Sequence, residues 1–179
     1  MIGGDLDYWG ERFASLQLAE LVGAGVTHIV DARVEASSEI FVADLAPEVH
    51  YLHHGVDDAG QQMPAEWFNV GVDFALDAIS SGGVVLTHCH MGINRGPSLG
   101  YAVLLGLGWD PIEALDAVRT ARPIAAIGYA EDALAWHHDR TGASATASRS
   151  DRRRLAGWRR ANAIDLETIM RQIRDTEGA

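Results

Sequence analysis

The chain carries a single cysteine, Cys89, and six positions later an arginine, Arg95. His90, Met91, Gly92, Ile93 and Asn94 lie between them. Upstream, Val84-Val85-Leu86-Thr87-His88 reads as a buried strand. Downstream, Gly96-Pro97-Ser98 punctuates the chain before an apolar, helical run from Leu99 to Leu107. A loop of this length between strand and helix can curl until successive backbone N–H groups point inward, making an anion-binding nest capped by the helix N-terminus. Phosphate fits such a cradle. The same positive field favours a thiolate and makes Cys89 a nucleophile. Arg95 would return to grip two phosphate oxygens with its planar fork, a task lysine cannot copy. One cysteine forbids an intramolecular disulfide and any multi-cysteine zinc site, so Cys89 has to act as a thiol.

The run His88-Cys89-His90-Met91-Gly92-Ile93-Asn94-Arg95 resembles the signature of the protein tyrosine phosphatase superfamily: His-Cys, five residues, Arg, then Ser or Thr. The likeness extends beyond the loop. Asp57 through Phe74 to Gly83-Val-Val-Leu-Thr-His-Cys is similar to the compact dual-specificity branch, where an acidic loop, an aromatic-bearing helix and a buried strand precede the cysteine. Ala121-Arg122-Pro123 and Gly128-Tyr129 resemble that branch's later helices.

This resemblance implies a phosphatase fold in which Cys89 is the nucleophile and Arg95 the phosphate ligand. His90, Met91, Gly92, Ile93, Asn94 and Gly96 form the substrate cradle, and His88 and Ser98 support it. It also implies a general acid about thirty residues before the cysteine. Asp57 and Asp58 stand 32 and 31 residues upstream. Laying Phe74 on the family's recurring aromatic favours Asp58, with Asp57 as the alternative. Such an acid protonates a phenolate or alkoxide leaving group and then activates water against the phosphocysteine. The chain departs from the pattern at Gly96, where the family usually has a hydroxyl that bonds the thiolate and assists turnover. Hydrolysis of the phosphoenzyme is therefore expected to be slow, and Gly96→Ser to speed it if the loop tolerates a Cβ.

The implied activity is hydrolysis of phosphomonoesters in phosphorylated proteins or peptides. Phosphotyrosine comes first and phosphoserine or phosphothreonine second, with no cofactor and no metal. The loop lacks the lysine pair that suits phosphoinositides. Two other classes compete. Gly96 is the one feature that favours a pseudophosphatase binding module. Gly92-Ile93-Asn94-Arg95 is also similar to the loop of the cysteine-dependent RNA 5′-triphosphatases, a reading that the acidic body opposes. The pairs His53-His54 and His137-His138 read as structural.

The elements that must position these residues alternate between strand and helix. Phe13 to Val22 has helical spacing and stops at Gly23-Ala24-Gly25. Val26 to Val30 is a β-branched strand running into Asp31-Ala32-Arg33, and residues 34–48 read as a polar loop. Val49 to His53 is a weaker strand. Pro64 opens a helix through Ile79, Asp110-Pro111 another through Val118, and Gly128-Tyr129 a third through Trp136. This order predicts an α/β fold with a central, mainly parallel sheet flanked by helices, its ligand at the carboxyl ends of the strands, and a C-terminal helical extension. The expected organisation is a phosphatase domain at 1–142, a small-polar linker at 143–150 and an Arg-rich helical tail at 151–179.

A chain of 179 residues with 47% apolar content suits one domain with a sizeable core. It has no apolar run long enough to span a membrane, and its N-terminus is acidic where a secretory signal is basic, so a soluble, cytoplasmic protein with no membrane partner is expected. The net charge of −11 argues against nucleic-acid binding. The charge is uneven: residues 1–148 hold 6 Arg against 20 acids, and 149–179 hold 8 Arg against 5. Residues 151–174 are therefore expected to form a helix folding back on the acidic body through Leu155, Trp158, Ala161, Ile164, Leu166 and Ile169. That same face could instead mediate self-association.

Overall fold

A computed structural model describes residues 1–6 and 10–177. Four parallel strands form the sheet: β1 (Ile2–Gly3), β2 (His28–Arg33), β3 (His50–Val56) and β4 (Val85–His88), in the order β1-β4-β2-β3. Parallel strands need crossovers, and helices supply them: α1 (Glu11–Gly23), α2 (Glu39–Leu45) and α3 (Ala65–Ser80). After β4 the chain is wholly helical, with α4 (Arg95–Gly106), α5 (Pro111–Ala121), α6 (Ala130–Thr141), α7 (Ala145–Ala161) and α8 (Leu166–Glu177). None of the described helices is long and apolar enough to cross a membrane.

Strand alternation divides the core. Ile29 of β2 and Leu86 of β4 turn toward Leu18 of α1 and Val42 of α2. Val30, Ala32 and Val85 turn the other way, into the larger cluster with Phe68, Val72, Leu99, Leu115 and Leu134. Helix α4 is buried along most of its length, so the helix that follows the Cys89 loop is fixed by the core on all sides. The register pairs Asp31 with His88 across β2 and β4, and Gly3 with His88 across β1 and β4, so three strands end together behind Cys89.

Three expectations need correction. Residues 34–48 are not all loop, because Glu39–Leu45 form α2, a short helix that buries Val42. Residues 143–150 are not a linker beyond Ala143 and Ser144: α7 begins at Ala145, where Ser144 Oγ accepts the Ala147 N–H at 3.2 Å as an N-cap. Alanine and serine make the segment look like a linker by composition, but alanine is the strongest helix former. The tail is two helices rather than one, broken at 162–165. Helix α7 does fold back on the body. Leu155 and Trp158 enter the main core, and Trp158 Nε1 donates to Asp116 at 2.6 Å. Ala161, expected on the same buried face, is exposed.

Candidate active site

The loop between β4 and α4 is held by its carbonyl groups. Asp5 N–H donates to the His90 carbonyl at 2.7 Å. The Arg122 guanidinium donates to the Met91 carbonyl at 2.7 Å and to the Gly92 carbonyl at 2.6 Å. With three successive carbonyls drawn outward, the N–H groups of residues 91–95 are left without protein acceptors among the described residues. Asn94 is the N-cap of α4 but makes no side-chain cap bond, so the first amides of that helix also face the cleft. Gly92 has φ +63, and a Cβ there would lie 2.4 Å from Arg122 Nε, so both the backbone conformation and the space require glycine.

Arg95 is the first residue of α4 and only 5% exposed. A buried guanidinium needs compensation, and Glu35, in the loop after β2, provides it. Nη1 donates to Glu35 Oε2 and Nη2 to Glu35 Oε1, both at 2.7 Å. Nη1 also reaches the Val56 carbonyl at 3.0 Å. These bonds, chiefly the one from Arg95, hold the Glu35 carboxyl down at about 2. They use one edge of the guanidinium. Nε, on the other edge, is buried without a hydrogen-bond partner. Nε–H and the neighbouring Nη2–H thus present a fork that suits two anionic oxygens.

Asp58 stands over that fork. Its Oδ1 accepts from Asn94 Nδ2 at 2.6 Å and from Tyr129 Oη at 2.8 Å. Its Oδ2 lies 3.6 Å from Arg95 Nε. Burial first, then the bond to Asp58, pushes the Tyr129 phenol up to about 12, so it stays a donor. Two donors occupy Oδ1, which leaves Oδ2 as the oxygen able to carry a proton into the cleft. Asp57 is exposed, and its carbonyl accepts from Gln61 Nε2.

A second buried network backs the loop. Arg33, 2% exposed, bonds Asp31 through Nε at 2.9 Å and Nη2 at 2.7 Å, and also pairs with Asp5. Burial pushes the Asp31 carboxyl upward, but its bonds from Arg33 and Tyr51 prevail and hold it below the usual range. His88 Nε2 lies 3.6 Å from Asp31 Oδ1, and burial lowers the His88 pKa from its ordinary value despite the Asp31 carboxylate. Asp5 links this network to the loop through its bond to His90.

Ser98 Oγ accepts the Tyr129 N–H at 3.2 Å. Gly96 lies against β4: a Cβ there would meet His88 C at 2.8 Å, His88 Cα at 2.9 Å and Cys89 N at 3.0 Å. The condition for a beneficial Gly96→Ser is therefore not met. His53 Nε2 and His54 Nε2 are engaged with the Arg33 and Trp67 carbonyls, and His138 with Asp151.

The arrangement can bind a tetrahedral dianion against a cysteine, with a carboxyl group on the leaving side. Comparison with known proteins agrees. The catalytic domain of the dual specificity phosphatases matches residues 8–130. The chain belongs to that family. Dual specificity protein phosphatase 15 of Mus musculus is 31% identical over 103 residues, which are 56% of this chain and 40% of that protein. Dual specificity protein phosphatase 16 of Homo sapiens is 32% identical over 91 residues, 50% of this chain and 14% of that protein. The match therefore spans less than half the length of these relatives. The crystal structure of human DUSP28 superimposes with a TM-score of 0.64 at 21% identity, covering 80% of this chain and 94% of that one. PTPMT1 gives 0.60 at 22% identity, covering 79% and 90%. At such identities these structures establish the dual specificity phosphatase fold.

Within this fold the structure brings Cys89, Arg95, Asp58, Asn94 and the loop together and leaves Asp57 outside. Glu35, Arg122 and the Asp31–Arg33 pair escaped the sequence reading as site residues. Asp31, Arg33 and Glu35 lie at the carboxyl end of β2, where a parallel sheet places its ligands, and that rule could have singled them out. Arg122 sits in the Ala121-Arg122-Pro123 run already noted for its resemblance. The face of α8 that lines the cleft, Leu166, Met170 and Arg174, carried no such signal.

Proposed function

We propose that the chain hydrolyses phosphomonoesters of proteins, phosphotyrosine first and also phosphoserine and phosphothreonine, through a phosphocysteine at Cys89. The observation that carries this reading is the buried edge of Arg95 in the cleft it shares with Cys89, where Nε faces only the Asp58 carboxylate at 3.6 Å and makes no hydrogen bond, since an unsatisfied buried donor is costly unless a ligand completes it. In the first step the Cys89 thiolate attacks phosphorus and the bond to the ester oxygen breaks. Asp58 Oδ2 gives its proton to the leaving oxygen. Arg95 and the loop amides hold the three equatorial oxygens and take up their charge in the transition state. In the second step Asp58 takes a proton from water, the oxygen bonds phosphorus, and the sulfur leaves as thiolate.

Asp58 in place over the fork favours turnover over a binding-only module. Gly96 brings no hydroxyl to the position where the family usually has one, and Ser98 Oγ accepts from the Tyr129 N–H and donates to Asn94 Oδ1, so the second step is slow and the phosphoenzyme accumulates. Hydrolysis of a generic aryl phosphate tests the reading: wild type turns over with or without chelator, and Cys89→Ser does not. Full activity in Cys89→Ser, or activity removed by chelator, overturns it.

A further inference from the structure

Helix α8 lies outside the residues matched by the dual specificity phosphatase domain, yet it forms one wall of the cleft. Leu166, Met170 and Arg174, spaced i, i+4 and i+8, stack on one helix face and line the cleft with Cys89, Asp58 and Arg95. The preceding chain anchors this placement. Trp158 is buried in the core, Arg119 Nη1 donates to the Asn162 carbonyl at 2.9 Å, and Arg159 Nη2 donates to the Gly128 carbonyl at 2.9 Å. Gly128 itself lines the cleft. Three residues then separate Asn162 from Leu166, and Asp165 Oδ1 accepts the Thr168 N–H at 3.1 Å to start the helix.

Arg95 and Arg174 are the two arginines of the cleft. Arg95 is committed to Glu35 and to the phosphate site. Arg174, two turns along α8 from Leu166, is exposed and lines the cleft. A substrate whose phosphate sits at Cys89 therefore meets apolar surface from Leu166 and Met170, and beyond it a cation. The acidic body repels an acidic peptide, but that repulsion is screened over roughly 8 Å at physiological salt, so the contact at Arg174 decides.

We propose that α8 is a substrate-selecting wall, in which Arg174 pairs with a carboxylate close to the phosphorylated residue of an acidic phosphopeptide. This rests on the phosphatase reading above and adds a sequence preference to it. The test compares two phosphotyrosine peptides, one flanked by Asp and Glu and the other by Asn and Gln at the same positions. In wild type the acidic peptide has the higher kcat/KM. The ratio of the two falls about threefold in Arg174→Ala and about tenfold in Arg174→Glu, mainly through KM, because reversal replaces an attraction by a repulsion of similar size. A ratio unchanged in Arg174→Glu, or no acidic preference in wild type, overturns the proposal. The same ratio read as Kd by fluorescence anisotropy in the Cys89→Ser background needs no turnover. An Arg174-dependent binding preference without hydrolysis by wild type would overturn the phosphatase reading and leave Arg174 standing.

Discussion

Replacing Gly96 by serine restores the family's usual hydroxyl, and the structure predicts that it harms this protein. The added Cβ would sit 2.8 Å from His88 C, 2.9 Å from His88 Cα and 3.0 Å from Cys89 N. Nonbonded carbon atoms settle at about 3.5–4.0 Å, so the gap is short by roughly 0.5–1 Å. All three atoms are backbone, two in His88 at the end of β4 and one at its junction with the loop, so no side-chain rotation relieves the contact. Helix α4 is packed against α3, α5 and α6 and cannot retreat without opening the core. Overpacking of this kind costs about 1–3 kcal/mol, which for a domain of this size lowers Tm by about 3–10 °C. The shift also displaces Cys89 from the fork of Arg95, so kcat for an aryl phosphate falls as well. Thermal melting and steady-state kinetics on Gly96→Ala and Gly96→Ser check this together. Both variants should lose stability by similar amounts, because the Cβ is the cause. A Gly96→Ser protein as stable as wild type and faster in turnover would refute the packing argument.

Asp58→Asn should lower kcat for poor leaving groups by about 10²- to 10⁴-fold and far less for activated aryl phosphates, while Asp57→Asn stays near wild type; a reversed order moves the acid one residue. Glu35, held at about 2 in the fold against 4.5 ordinarily, contributes stability that is complete above 4.5 and lost as pH falls through about 2. The stability difference between wild type and Glu35→Gln should thus be constant near neutrality and shrink across that acid window in pH-dependent melts. A difference that persists at pH 2 contradicts the ion pair. Trp158→Ala empties a core site and removes the bond to Asp116, so it should cost about 3–5 kcal/mol in urea unfolding; a wild-type midpoint would make the tail a peripheral appendage.

What the sequence revealed about the site was local in the chain. Cys89, Gly92 and Arg95 sit in one loop whose spacing has a physical meaning by itself, and Asp58 was accessible through the resemblance of its neighbourhood. Glu35, Arg122 and the Asp31–Arg33 pair act only because the parallel sheet brings the ends of β2 and β4 together and α5 ends beside the loop. Each looks like an ordinary charged residue in its own segment. Asn94 was legible as a cradle residue, yet its use as a clamp on Asp58 depends on a contact 36 positions away. The longer crossover helices followed from apolar spacing and glycine stops. The two-residue β1 and the seven-residue α2 fall below the length at which periodicity speaks. The linker reading failed because it weighed small polar composition above the Ser144 cap, and the tail's break at 162–165 shows no proline or glycine to announce it.

The central claim is a covalent phosphocysteine at Cys89. Acid quench of wild type within the first turnover of an aryl phosphate, followed by intact-protein and peptide mass spectrometry, tests it directly. The account predicts a burst of aryl alcohol matched by one phosphoryl group on the peptide containing Cys89, and neither in Cys89→Ser. Sustained turnover with no phosphorylated Cys89 at any quench time, or a phosphoryl group on a different residue, would contradict it.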